Sequence, residues 1–246
     1  MEIYKNLIYV QAPKGSCIPL AEELIVDQKI YYRYMDKIYI PETPANLSKE
    51  DVSALSEIRI KLNGDVIDYS YTKELISTLI EKANDSPIGS IIDFGCGGGI
   101  LAEVLTEGHY IDEVKSVTGL DISEFAVKSA SKKYELLKDI KSEVFLFDGV
   151  NPLEINDNSI DAVLSSFVMH FPIYDNQLEE LFRVLKPNGC FVYNDYIYHK
   201  STAHYKDIIN RLNDIGFIVD ESTVSFTQPD TKTLRNHRIV RARKPA

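Results

Sequence analysis

The chain has 246 residues, 44% of them hydrophobic, enough for one large α/β domain, or a domain with a small appendage, around a full core. Its formal net charge of −10 repels phosphate backbones, so no nucleic-acid partner is expected. No apolar run approaches the ~20 residues that span a bilayer, and MEIYKNLIYV lacks the basic-then-apolar pattern of a secretory signal. The three cysteines, Cys17, Cys96 and Cys190, form neither a disulfide framework nor a zinc pattern. A cytoplasmic protein with no membrane partner is expected, and composition sets no oligomeric state. The one dense basic run, Arg235, His237, Arg238, Arg241, Arg243 and Lys244, reads as the solvated face of a last strand and its tail.

In chain order, residues 1–70 are tyrosine-rich and of mixed pattern. Lys29–Tyr34 predicts a strand, Pro41 and Pro44 break the chain, and Ser48 caps a helix running through Ile60 to Asn63-Gly64. From residue 71 strands and helices alternate. Thr72 caps a helix through Ala83, and Ser90–Phe94 is a strand. Gly98–Glu107 is a helix, Val114–Leu120 a strand and Ser123–Leu137 a helix. Strands follow at Val144–Phe147 and Ile160–Phe167. Asn176–Leu185 is a helix, Cys190–Tyr193 a strand and Ala203–Asp214 a helix. Two closing strands, 217–226 and 236–243, have no helix between them. Short apolar runs separated by helices predict a seven-stranded, mostly parallel sheet covered on both faces, with an antiparallel hairpin at its edge.

The chemistry concentrates at Ile92-Asp93-Phe94-Gly95-Cys96-Gly97-Gly98-Gly99-Ile100-Leu101. A strand ends, a glycine turn follows and a helix begins, at the carboxyl edge where open α/β sheets bind ligands. Glycine permits the tight turn and lets a ligand approach the backbone. Gly97 through Ala102 fits the dinucleotide pattern G-x-G-x-x-A; counted from Gly95 the pattern fails, because Ile100 fills the third small position. Asp93, Gly95, Gly97 and Gly99 fit acidic-x-G-x-G-x-G instead. A carboxylate at the turn suits an ammonium and a sulfonium and opposes a pyrophosphate.

This pattern resembles motif I of the class I S-adenosylmethionine-dependent methyltransferases. The resemblance continues over about residues 71–246, through Val117–Ser123, Phe147–Val150, Ile160–Phe171 and Leu181–Phe191, where Asn188 replaces a glycine in a turn that asparagine also tolerates. It implies a Rossmann-like fold with S-adenosylmethionine as cofactor and S-adenosylhomocysteine as product. It places Asp93, Gly95, Cys96, Gly97 and Gly99 along the methionine and ribose, and Asp121 with Ile122 at the ribose hydroxyls, Ser123 being the better helix cap. Asp148 and Gly149 fall at the adenine, where an Asp-Gly turn is the competing role, and Ser165 ends the fourth strand at the same crevice.

Methyl transfer to a small-molecule acceptor is then expected, mainly by positioning, since the sulfonium supplies the leaving group. A base, where the acceptor needs one, is His170 after strand four or Asp195 after strand five. Tyr196, Tyr198 and His199 face the acceptor. Residues 1–70 form a small α+β lid, from which Tyr69 lines the acceptor site, with Tyr71 at the helix start beside it reaching the cofactor. His109, His204 and His237 have no such placement. Ser165-Ser166 ends strand four, Asp195 stands alone and Asp161 lies at the wrong end of its strand, so no metal is expected. A nicotinamide-dependent oxidoreductase and a catalytically silent S-adenosylmethionine-binding protein are the alternatives.

Overall fold

A computed structural model describes residues 9–11, 22–26, 29–34, 37–40, 44–61, 69–83, 88–107, 113–197, 203–227 and 232–246, those before residue 44 by backbone only. Cys17, Asn63-Gly64, His109, Tyr198, His199 and the side chain of Tyr69 lie outside the described residues. Strands β1 (Tyr9–Gln11), β2 (Glu22–Val26), β3 (Lys29–Tyr34) and β4 (Lys37–Ile40) form a sheet in the order β1-β4-β3-β2. The expected strand at Lys29–Tyr34 is β3.

Helix α1 (Lys49–Lys61) starts at a reciprocal cap. The Ser48 hydroxyl accepts from the Asp51 amide at 3.2 Å, and the Asp51 carboxylate accepts from the Ser48 hydroxyl at 2.9 Å. Helix α2 (Tyr69–Ala83) starts before the expected cap at Thr72, so residue 71 lies in its first turn rather than ahead of it.

The main sheet has seven strands: β5 (Ser90–Phe94), β6 (Ser116–Asp121), β7 (Lys141–Leu146), β8 (Ile160–Ser165), β9 (Leu185–Tyr196), β10 (Ile218–Thr227) and β11 (Leu234–Arg243). Between them run α3 (Ile100–Glu107), α4 (Glu124–Tyr134), α5 (Gln177–Val184) and α6 (Ala203–Ile215). The order is β10-β11-β9-β8-β5-β6-β7. Strands β5 to β9 pair in parallel, and β11 runs antiparallel to both β9 and β10, as expected.

Alternation along the strands divides the core between two faces. Ile91, Ala162, Leu164 and Val192 pack with Leu75 and Leu79 of α2 and Leu101 and Leu105 of α3. Their chain neighbours Ile92, Val163, Phe191 and Tyr193 pack with Leu178 and Leu181 of α5 and Ile208 and Leu212 of α6. Strand β9 begins five residues earlier than expected: Leu185 pairs with Ile160, the chain bulges through Lys186-Pro187-Asn188-Gly189, and Cys190 rejoins at Ala162. Asn188 takes φ +66°, the left-handed conformation expected of the residue replacing glycine.

The chain leaves β5 for β6 on one side and returns to β8 on the other. The sheet order therefore reverses at β5, and the carboxyl ends of β5, β6 and β8 open a crevice there.

Candidate active site

The turn after β5 is built on positive φ: Gly95 at +76°, Gly97 at +51° and Gly99 at +79°. The amides of Gly95 and Cys96 both donate to the Leu120 carbonyl, at 2.7 and 3.0 Å, which ties the turn to the end of β6. A Cβ on Gly95 would lie 2.2 Å from Val168 Cγ2, and one on Gly99 would press on the backbone of Ala130. At Gly97 a Cβ would meet nothing within 4 Å, so that backbone is open to a ligand.

Asp121, at the end of β6, accepts from the Gly97 amide at 2.9 Å through one carboxylate oxygen and from the Ser123 amide at 2.9 Å through the other. Ser123 does cap α4, its hydroxyl accepting from Ala126. The cap nevertheless does not release Asp121, which braces the glycine turn; each oxygen keeps one lone pair for a ligand hydroxyl. Burial pushes its carboxyl up to about 6, against the pull of those amides. Asp93 accepts from the Tyr134 hydroxyl at 2.6 Å, and burial pushes it up to about 7.

Both carboxylates line a cleft of about 1150 Å³, open mouth included, of the size that takes a cofactor. The glycine turn and Ile122 form one end. Val52, Leu55, Ser56 and Arg59 of α1 line the cleft, together with Phe167, Val168, Phe171 and Tyr174 from the segment after β8. The N-terminal region thus contributes α1 to the wall, a part that the tyrosine content of residues 1–70 did not single out.

Several expected site residues land elsewhere. Ser165 is fully buried and donates to the Phe94 carbonyl at 2.8 Å; its neighbour Ser166 lines the cleft. Cys96 lines the cleft but belongs to the core, where burial pushes its thiol up. Asp148 is not a cleft-lining residue: it accepts from the Val150 amide at 3.0 Å in an Asp-Gly turn and pairs with Lys49 at 3.5 Å. Gly149 carries φ +85°, and a Cβ there would strike Gln177 and the Tyr174 carbonyl at 2.7 Å, so both backbone and space require glycine.

Tyr71 turns toward the carboxyl-side rim of β9 and β11. Its ring packs on Phe167 at 5.9 Å and Phe226 at 5.7 Å, and its hydroxyl bonds His237 Nε2. His237 is fully buried and stands 5.1 Å from the Tyr196 ring and 5.6 Å from Phe167. Sequence reasoning passed over it. Its place comes from the antiparallel pairing of β11 with β9, which sets His237 opposite Tyr196, and no local motif announces such a register. The basic run that contains it is not a solvated face. Arg238 lies 3.6 Å from Asp195 and 3.3 Å from Glu221, and Lys244 donates to the carbonyls of Phe182 and Leu185.

His170 is buried with its ring 4.1 Å from Phe171 and 5.3 Å from Tyr196. Burial, helped by the charge of Arg59, holds its imidazole down to about 3. Asp195 is buried beside Arg238, and burial pushes its carboxyl up to about 6. Asp161 does sit at the far end of β8, accepting from Gly89 and Ser90 and pairing with Lys186 at 2.6 Å. Among the described residues no three His, Cys, Asp or Glu side chains gather as a metal site, and no helix is long and apolar enough to cross a membrane.

Residues 92–193 match the family model described as a methyltransferase domain. The sterol 24-C-methyltransferase of Yarrowia lipolytica is 26% identical over 136 residues, 53% of this chain and 34% of that enzyme. The chain spans about a third of the length of the first curated relatives it matches. Among solved structures, the [4+2]-cyclase SpnF aligns over 84% of this chain and 98% of its own, at 17% identity and a TM-score of 0.62. The phosphoethanolamine N-methyltransferase 2 of Haemonchus contortus, in complex with S-adenosyl-L-methionine, aligns over 70% of this chain and 53% of its own, at 18% identity and a TM-score of 0.51.

Proposed function

From the match of residues 92–193 to the methyltransferase-domain model, on a fold shared with S-adenosylmethionine-dependent enzymes, we propose that the protein transfers a methyl group from S-adenosylmethionine to a small-molecule acceptor. The observation that carries this is the turn after β5. Its open Gly97 backbone leaves room that a Cβ would fill, with Asp121 bracing it and Asp93 beside it. The residues fit the group. Two buried carboxylates face the end where a positively charged cofactor would lie, and a pyrophosphate would meet repulsion there.

The bound cofactor supplies an activated methyl carbon on a sulfonium leaving group. The protein's part is to bind, orient and exclude water. The Gly95–Gly98 backbone and Ile122 would hold the cofactor, Asp121 would take the ribose hydroxyls on its remaining lone pairs, and Asp93 would orient the amino group. Asp148 stays a candidate for the adenine edge from the rim, beside Lys49. The wall of Phe167, Val168 and Phe171 shuts out water, and α1 closes the opposite side, the lid function we assign to the N-terminal region. If the acceptor holds its proton at neutral pH, Asp195, with a carboxyl near 6, is better matched in pKa than His170, held near 3, but neither side chain lines the cleft and Asp195 is paired with Arg238, so a base from either must reach the acceptor through the wall.

The small-molecule acceptor is supported by the net charge of −10 and by relatives named for sterol and phthiotriol methylation. A cytoplasmic setting is in keeping with the buried thiols of Cys96 and Cys190. One fold hosts many reactions, as the cyclase shows, so the test must follow the methyl group itself. Incubation with methyl-labelled S-adenosylmethionine and a metabolite extract should move label into a small organic product. Stoichiometric binding of S-adenosylmethionine with no transfer from any extract would favour the catalytically silent alternative.

A further inference from the structure

Arg59 is the one lysine or arginine among the described residues that line the cleft. The acidic groups and the tyrosine that line the cleft with it are engaged. Asp93 holds the Tyr134 hydroxyl, Asp121 holds two amides, and the Tyr174 hydroxyl donates to the Leu47 carbonyl. Arg59 is half-buried, and among the described residues it has neither an ion pair nor a hydrogen bond, in a chain with 37 acidic and 27 basic side chains. Withdrawing a guanidinium from water without a partner is costly. Phe167 and Phe171 line the same cleft, backed by Tyr196 at 5.6 Å from Phe167 and by His170 at 4.1 Å from Phe171. The charge of Arg59 is felt at both His170 and Tyr196, so its head lies toward this wall.

We propose that Arg59 and the rings of Phe167 and Phe171 that line the same cleft form the acceptor subsite, and that it takes a small aromatic carboxylate. This rests on the methyl-transfer reading and names its substrate class. The guanidinium is a planar fork matched to a carboxylate, and the flat faces suit an aromatic ring. A single cation matches a single negative charge. A phosphate dianion would leave an excess charge in a cleft that already holds Asp93 and Asp121. The competing ligand for Arg59 is the cofactor's own carboxylate, and the experiment separates the two.

The full chain, saturated with S-adenosylhomocysteine, is titrated with benzoate and with neutral benzamide, following tyrosine fluorescence. The wild type should prefer benzoate by about tenfold, the ratio expected of one charge-assisted contact. Arg59→Met should lose that preference while binding S-adenosylhomocysteine as the wild type does, and Arg59→Lys should restore part of it. Equal binding of the two probes, or no benzoate binding, overturns the proposal. So does a tenfold loss of S-adenosylhomocysteine affinity in Arg59→Met, which would assign the guanidinium to the cofactor. Failure of the wild type to bind S-adenosylhomocysteine would instead strike the functional reading beneath it.

Discussion

The side-chain amide of Asn194 donates to Nδ1 of His237 at 3.1 Å, and this contact sets the tautomer of a fully buried imidazole. The Asn194 oxygen is already committed to the Phe167 amide at 2.8 Å, so the NH2 group must face His237. Nδ1 is then an acceptor, the proton sits on Nε2, and Nε2–H donates to the Tyr71 hydroxyl. Four elements meet at this node: α2, the loop after β8, β9 and β11. It also holds Phe167, a cleft residue with the unfavourable φ of +59°. Asn194→Ala strands two buried groups and should cost about 2–3 kcal/mol in urea unfolding. A loss well below 1 kcal/mol would show that the node does not hold the wall.

Acid should act through the same imidazole. Burial, with the nearby Arg235 charge, holds His237 down to about 4, while the unfolded chain takes up the proton near the ordinary value of 6.5. The contribution of a neutral His237 is fully present above pH 6.5 and is lost as pH falls toward 4. Asp93 and Asp121, pushed up to about 7 and 6, change stability with the opposite sign in part of that range. The comparison must therefore be between variants. The gap in melting temperature between wild type and His237→Gln should narrow as pH falls from 7 to 5, and a constant gap would contradict the assignment.

Asp93 should make cofactor affinity depend on pH. With its carboxyl near 7, Asp93 is protonated in much of the free protein below that pH and must ionise to pair with an ammonium. Affinity for S-adenosylhomocysteine should rise between pH 6 and 8 and level off above. Asp93→Asn should bind more weakly and lose this dependence. An unchanged profile in a folded Asp93→Asn protein would remove Asp93 from the cofactor site.

Two glycines of one turn should fail differently. Gly95→Ala drives a methyl into Val168 at 2.2 Å from a left-handed backbone, so it should destabilise the fold by several times the ~1–2 kcal/mol of the backbone conformation alone. Gly97→Ala meets no protein atom within 4 Å and should cost only about 1–2 kcal/mol of stability. It should nevertheless abolish S-adenosylhomocysteine binding, because the methyl enters space reserved for the ligand. Thermal melts and titrations of both variants check the pair.

Much of this site was legible locally. The β5 turn declares itself in five residues, and Asn188 in its turn follows from backbone conformation alone. The mostly parallel sheet and its closing hairpin follow from alternation and from the missing helix between β10 and β11, whereas the strand order does not. What escaped depends on pairing between distant segments. His237 reaches the aromatic wall only through the β9–β11 register, and α1 reaches the cleft only by packing across the main sheet's helices. Ser165 and Ser166 differ by one step of a strand end, and motif spacing does not say which of the two turns inward. Asp148 shows the limit of a motif of another sort, since Asp-Gly also closes a turn on itself.

The central claim is that the turn after β5 binds S-adenosylmethionine and not a dinucleotide. Calorimetric titration of the full chain, cleared of any copurified ligand, with S-adenosylhomocysteine and separately with NAD tests it most directly. The account predicts one saturable site for S-adenosylhomocysteine, abolished in Gly97→Ala, and no heat of binding with NAD. Saturable NAD binding with none for S-adenosylhomocysteine would contradict it.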